Sequence, residues 1–510
     1  MRVMLHYLLE ESAVRQKILL TLCASLIVTG VVSTTVPAEA KKAKSSGPLP
    51  FTSKEKANGA KYHPEILKEF GGAYQSPQTN YVQSVGKKIA LQSGLANSEG
   101  EFTVTFLNSA VNNAFAIEGG YVYITRQLAA LCNSEAEMAG VLGHEVGHTA
   151  ARHSKKRQKQ ATIANILGAI GTIGGAMLGD SGGLAGALGG AAKQYSGQLA
   201  QLFTLSYSRG QEEQADDLGI LYLSKAGYDP SALSAMLNSL ALQTAVDAKA
   251  AGLNSHSVPE WASTHPDPAK RVVRALSVAK KYPAITVRKA DNHLNAINGM
   301  LYDDDPKEGV IEGQEFLHPD LRLRFAVPQG YGMSNGSQAV SINGNGGKAL
   351  FTTQPYNGDR KAYIDAAFKA VVGDQQQASY GAIKNPTVNG IQAFYASTNV
   401  QTQQSGVVTL MVFAYEWGPN QAFHFVTITP SNSMPFESMF ESVTRLNDRQ
   451  AADIKPRKIR VVTASRSDTV ATLSSRMAYK NFQTERFLAL NGMNASSTIT
   501  SGQRLKIVTY

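Results

Sequence analysis

The stretch that most constrains the chain is His144-Glu145-Val146-Gly147-His148. On a helix, histidines four residues apart share one face, one turn above the other. Two imidazoles so placed can bind one zinc ion (Zn²⁺), and the glutamate between them can act as a general base. The flanking residues favour that helix. Ser134 followed by Glu137 predicts a capping box, and Ala136, Met138, Ala139, Val141 and Leu142 carry the helix into the motif.

Two histidines leave a zinc site one protein ligand short, and a carboxylate on a second helix is a standard third. The stretch SRGQEEQADDLGILYL supplies a candidate, Glu212. Asp216, one turn on, faces the same way and can accept the free N–H of a ligand histidine, fixing its tautomer. Further along, STHPDPAKR places His265 in a loop ahead of a helix starting near Pro268. His265 can donate to an oxyanion or cap the metal when no substrate is present. His153, five residues past His148, falls off the ligand face and is expected to be structural.

Ahead of the motif, EFTVTFLNS alternates as a strand from Phe102 to Leu107, and YVYIT makes another from Tyr121 to Thr125. The segment between them, with Asn113 and Ala114, is the candidate strand edge. An extended substrate could add to it through main-chain bonds without demanding a side-chain sequence.

The domain plan follows from texture. Arg15 and Lys17, the apolar run Ile18 to Val32, and Ala38-Glu39-Ala40 read as a signal peptide over 1–40, with an uncleaved anchor as the alternative. Residues 41–54 read as a linker and 55–282 as a mainly helical domain with a short sheet that carries the candidate zinc site. Residues 283–315 (DDDPKEGVIEGQ at their end) read as a second linker. A β-rich α+β domain is expected over 316–448, with helices near 360–372 and 433–445. Residues 449–457 form a further linker, and 458–510 run strand, helix, helix, strand. The uncharged, small-residue stretch within 161–200 is expected to be a glycine-rich lid over the site or a membrane-surface contact.

Composition excludes little but directs the rest. A formal charge of +10 suits an anionic surface such as phospholipid or cell wall, and no nucleic-acid motif accompanies it. Signal cleavage would leave Cys132 as the one thiol, a small buried hydrophobe, so packing and metal must hold the core. The paired carboxylates of glycan hydrolysis are not evident.

Taken together, HEVGH, SRGQEEQAD and STHP resemble the CAAX-prenyl-protease-like zinc metallopeptidases, in particular the bacterial periplasmic BepA-type branch. The resemblance runs from about Gly59 to Lys280 and includes HPEILKEFGGAY and NNAFAIEGGYVYITRQL. It implies a zincin-type (gluzincin) fold, with His144, His148 and Glu212 as metal ligands and Glu145 as base. It makes Asp216 an outer partner and His265 a substrate- or metal-facing loop residue. Gln214 stands where that family often has a second glutamate. SDTVATLSSRMAY, LALNG and GQRLKIV resemble a LysM module, a βααβ fold that binds N-acetylglucosamine in peptidoglycan, although Ser467 replaces the usual glycine. The 316–448 region resembles the PsbP/Mog-like α+β sandwich. The expectation is a periplasmic zinc endopeptidase acting on extended, misfolded or unassembled envelope proteins. The rival is a non-catalytic, chaperone-like binding protein attached to peptidoglycan.

Overall fold

The computed structural model describes residues 50–154, 207–250, 265, 267–372, 379–402, 406–431 and 433–510. The expected signal segment 1–40 and the stretch 161–200, with its lid and membrane readings, lie outside the described residues. Among the described residues no helix is long and apolar enough to cross a membrane.

Helices α1 (Ser53–Glu69) and α2 (Thr79–Leu91) lead into a three-stranded sheet. Its strands are β1 (Thr103–Leu107), β2 (Ala114–Ile117) and β3 (Tyr121–Thr125), in the order β1-β3-β2. β1 runs parallel to β3, and β2 runs antiparallel to it. Gly119 and Gly120 make the β2–β3 turn at φ 88° and 92°, the left-handed region that glycine adopts without strain. The Thr125 amide donates to the Asn113 carbonyl at 3.0 Å. By the alternation of an antiparallel ladder, the main-chain groups of Ala114 and Ala116 then face the sheet's outer edge.

Helix α3 (Arg126–Leu131) is followed after three residues by α4 (Glu135–Ala150), which carries the HEVGH motif. α4 is buried from Glu135 to His148, its three glutamates and two histidines included. Ser134 caps it, accepting from the Glu137 amide at 3.2 Å. The expected capping box is only half formed, because the Glu137 carboxylate accepts from the Asn133 amide at 2.8 Å instead of the Ser134 amide.

Helices α5 (Arg209–Lys225), α6 (Ala232–Ala250) and α7 (Pro268–Ala279) complete the layer. α4 and α5 cross through glycines. A Cβ on Gly219 would lie 3.0 Å from the His144 amide nitrogen, and one on Gly147 would lie 3.1 Å from the Ala215 carbonyl. Bare backbone at the crossing lets the two ligand-bearing helices approach closely.

The segment 283–315 departs from its linker expectation. It holds α8 (Ala290–Ile297), with His293, Leu294 and Ile297 buried, then strands β4 (Leu301–Tyr302) and β5 (Val310–Glu312). Its aspartates accept bonds from distant residues. Asp303 takes Gln127 and Tyr479, and Asp305 takes Asn108.

The next region is a sandwich. Strands β6 (Glu315–His318) and β7 (Leu323–Ala326) join β5 and β15 (Thr444–Arg445) in a four-stranded sheet. Strands β8 (Tyr331–Asn335), β9 (Val340–Gly344), β10 (Gly347–Pro355), β11 (Thr387–Val388), β12 (Ile391–Thr402), β13 (Gly406–Gly418) and β14 (Gln421–Pro430) form a seven-stranded sheet in the order β11-β12-β13-β14-β10-β9-β8. β13 shows why. Met411, Phe413 and Tyr415 face the smaller sheet's core, whereas Leu410, Val412 and Ala414 face helix α9 (Arg360–Val372), so both faces are covered. The helix expected over 433–445 is α10, confined to Glu437–Ser442, because β15 begins at Thr444.

The expected linker 449–457 contains the short helix α11 (Asp448–Ala452). Then come β16 (Arg457–Thr463), α12 (Val470–Ser474), α13 (Gln483–Leu490) and β17 (Arg504–Thr509), the expected strand–helix–helix–strand order. β16 pairs with β17 and with β4, so this sheet borrows a strand from the 283–315 segment. Leu473, Phe487, Leu505, Ile507 and Val508 share one apolar core with Leu131, Met138 and Leu142.

Candidate metal centre

The crossing of α4 and α5 brings four donor side chains together. Atoms of His144, His148, Glu212 and His265 lie within 4.8 Å of one another, and all four residues are buried. His144 Nε2 is 3.0 Å from His148 Nε2, His148 Nε2 is 3.2 Å from Glu212 Oε1, and His144 Nε2 is 3.6 Å from Glu212 Oε2. With zinc–ligand bonds of about 2.0–2.2 Å, the edge of a coordination tetrahedron is about 3.3 Å. The three spacings bracket that length, so the donor set fits a zinc ion. His265 Nδ1 lies 3.1 Å from Glu212 Oε1 and 3.4 Å from His144 Nε2, completing the cluster.

Glu145 sits beside this cluster. Its Oε1 is buried without a hydrogen-bond partner among the described residues, and His265 Nε2 stands 3.6 Å away. Burial raises the Glu145 carboxyl above its ordinary range, against the pull of His265 and His144. Burial also opposes the charge on Glu212, but His265, His148 and His144 outweigh it and hold that carboxyl well below the usual range. Burial lowers the His148 imidazole well below its ordinary value.

Asp216 lies where the sequence places it, with Oδ1 2.9 Å from His144 Nδ1. Sequence reasoning missed what lies behind it. Arg271, on α7, donates from Nε and Nη2 to Asp216 at 2.9 and 2.6 Å and from Nη1 to Glu212. The signal was present: two buried carboxylates need a buried cation, and STHPDPAKR ends in one. Tyr207, just before the Ser208 cap of α5, stacks on the His148 ring at 3.7 Å and 20°.

His153 also departs from expectation. α4 ends at Ala150, and Arg152 takes φ 57°, which turns the chain back on itself. His153 Nδ1 thereby comes to 2.8 Å from His148 Nδ1, and its Nε2 to 3.0 Å from Gln214 Oε1. A straight helical projection could not show this, because the turn falls at a non-glycine residue. Asn113 and Ala114 lie at the sheet edge, both buried, with β2 packed against α4. The Asn113 amide is taken by Thr125 Oγ1 at 3.2 Å.

An HExxH helix joined at a metal-sized gap by a glutamate from a second helix, with a buried carboxylate alongside, defines the HExxH class of metallohydrolase centre. Residues 76–279 match the sequence profile of Peptidase family M48. The chain is 28% identical over 302 residues to the beta-barrel assembly-enhancing protease of Yersinia pestis, covering 56% of this chain and 58% of that protein. It is 27% identical over 217 residues to the protein of the same name from Escherichia coli K12, covering 42% and 41%. It is 28% identical over 226 residues to the mitochondrial metalloendopeptidase OMA1 of Schizosaccharomyces pombe, covering 43% and 59%. The chain thus spans about half the length of these curated relatives.

Proposed function

We propose that the chain is a zinc-dependent endopeptidase of the bacterial cell envelope that cuts misfolded or unassembled envelope proteins. The observation that carries this reading is the convergence of His144, His148 and Glu212 on one metal-sized gap beside Glu145, whose Oε1 has no hydrogen-bond partner among the described residues. These three residues would hold the ion. Zinc bound there would polarise the scissile carbonyl and lower the pKa of a water from 15.7 toward about 7. Glu145 takes the proton of the attacking water on its free oxygen and returns it to the leaving amine. Burial favours that role by making Glu145 a stronger base than an exposed carboxylate. Asp216 holds His144 through Nδ1, so that Nε2 keeps its lone pair for the metal. His265 faces both Glu145 and the ligand set, and serves either the oxyanion or the resting site.

Substrates in extended form would add along the outer edge of β2, which Asn113 anchors to β3; Ala114 is buried there, so its main-chain groups become available only when what covers them moves aside. Such binding reads extension more than side-chain identity. The relatives' printed names, protease and metalloendopeptidase, agree with protein substrates. The helical layer with its short sheet supports a zincin-type arrangement, and the strand–helix–helix–strand order of 457–510 supports a LysM-like module that meets peptidoglycan. The sequence over 1–40 supports export.

The test is Glu145→Gln, assayed on a casein-like substrate with metal content measured alongside. Hydrolysis should vanish while zinc stays stoichiometric. Retained hydrolysis would refute the role of Glu145, and a parent protein without zinc would refute the site.

A further inference from the structure

We propose that His153 is a positioning residue for the metal ligand His148, and that Gln214 sets its tautomer, forming a neutral relay Gln214–His153–His148. This rests on the metal-site reading above. Hydrogen-bond bookkeeping determines each proton. If His148 offers its Nε2 lone pair to the metal, its Nδ1 must carry the proton. That N–H points at His153 Nδ1, 2.8 Å away, which must therefore accept. A neutral imidazole with an accepting Nδ1 carries its proton on Nε2, and His153 Nε2 faces Gln214 Oε1 at 3.0 Å, which accepts it. The whole chain has one consistent polarity, running from ligand to amide.

The two ligand histidines are thus held by different chemistry. His144 leans on the Asp216 carboxylate, itself held by Arg271. His148 leans on an uncharged ring. Charge accounts for the asymmetry. A zinc dication and Arg271 balance Glu145, Glu212 and Asp216, all buried, while Gln214 sits exposed at the rim beside the buried His153 ring. Gln214 supplies the acceptor without the charge. His153 is fully buried, with the Tyr207 ring centroid 6.1 Å from its own.

The experiment uses the full chain and reads zinc affinity by chelator competition and the ligand field by cobalt substitution, with melting of the metal-free protein as the folding control. His153→Leu should bind zinc about 10- to 100-fold more weakly and shift the cobalt absorption bands. His153→Asn places an amide oxygen where Nδ1 stood, and should restore affinity to within about threefold of the parent. Gln214→Leu frees the His153 tautomer and should fall between the two. Parental affinity in a folded His153→Leu overturns the proposal, as does an Asn variant no better than Leu. If the Leu variant does not fold, parental affinity in Gln214→Leu overturns it instead. A parent protein that takes up no zinc overturns the metal-site reading and this proposal together.

Discussion

The Lys506 ammonium donates to the Cys132 carbonyl at 2.7 Å, across 374 residues of sequence. It donates also to Ala130 and Leu131 at 2.7 and 3.1 Å, and it is fully buried. These are carbonyls at the C-terminal end of α3, where a cation is favoured, and α4 begins three residues on. A side chain of the last strand therefore pins the approach to the HEVGH helix. Lys506→Met would strip the Ala130 carbonyl of this donor, while Leu131 keeps Asn133 Nδ2 and Cys132 keeps His293 Nε2. It should cost about 1–3 kcal/mol in denaturant unfolding. A loss below about 1 kcal/mol would mean the Ala130 carbonyl finds another partner.

Gly219 sits against the His144 backbone. Gly219→Ala must push α5 off α4, since backbone at 3.0–3.2 Å cannot yield as a side-chain tip can. We expect about 1–3 kcal/mol of destabilisation, together with weaker zinc binding as Glu212 recedes from the histidines. Gly210, on the same helix, has nothing within 4 Å of its Cβ position. Gly210→Ala should be neutral or stabilise by up to about 1 kcal/mol. Equal effects from the two variants would show that the crossing is not tight.

Removing Arg271 strands two buried carboxylates. Arg271→Met should destabilise the metal-free protein by about 3–5 kcal/mol, with zinc recovering part of the loss. Arg271→Lys should not rescue it, because an ammonium cannot bridge both carboxylates with a planar fork. Thermal melting with and without zinc checks both variants.

His293 provides a pH test far from the metal. Burial, reinforced by Lys506, pushes its imidazole down to about 3, while Tyr81 and the carbonyls of Ala129 and Cys132 hold it in place. The unfolded state takes up that proton first, near pH 6.5, so the stability His293 contributes is present above 6.5 and lost as the pH falls toward 3. Asp247 and Asp304, which burial pushes up to about 6, act in the opposite sense below pH 6. The difference between the parent and His293→Gln isolates the histidine. It should change in the variant's favour by about 1.4 kcal/mol per pH unit between 6.5 and 3. A flat difference would place the His293 pKa near its ordinary value.

Local signals read well from the sequence, and long-range ones did not. Ser134 and the apolar spacing after it announced α4, and the alternation of YVYIT matches β3 from Tyr121 to Thr125. The 3.6-residue period also placed α9 near 360–372. His144, His148 and Glu212 could be singled out because metal chemistry restricts both residue type and spacing. The linker reading of 283–315 failed because aspartate, proline and glycine look the same in a spacer as in a hub. What makes Asp303 structural is Gln127 and Tyr479, both 176 residues away. Arg271, and the contact of the expected structural residue His153 with His148, went unforeseen for a related reason. One answers a charge on another helix, and the other arrives through a left-handed turn at Arg152.

The borrowed strand β4 and the common core of 457–510 with α3 and α4 bear on how such a chain can change over generations. The M48 match stops at residue 279, yet Leu131 and Met138 within it are covered by side chains beyond 470. Recombination at that border would strip an oily face bare, so the two parts can be traded only as a matched set.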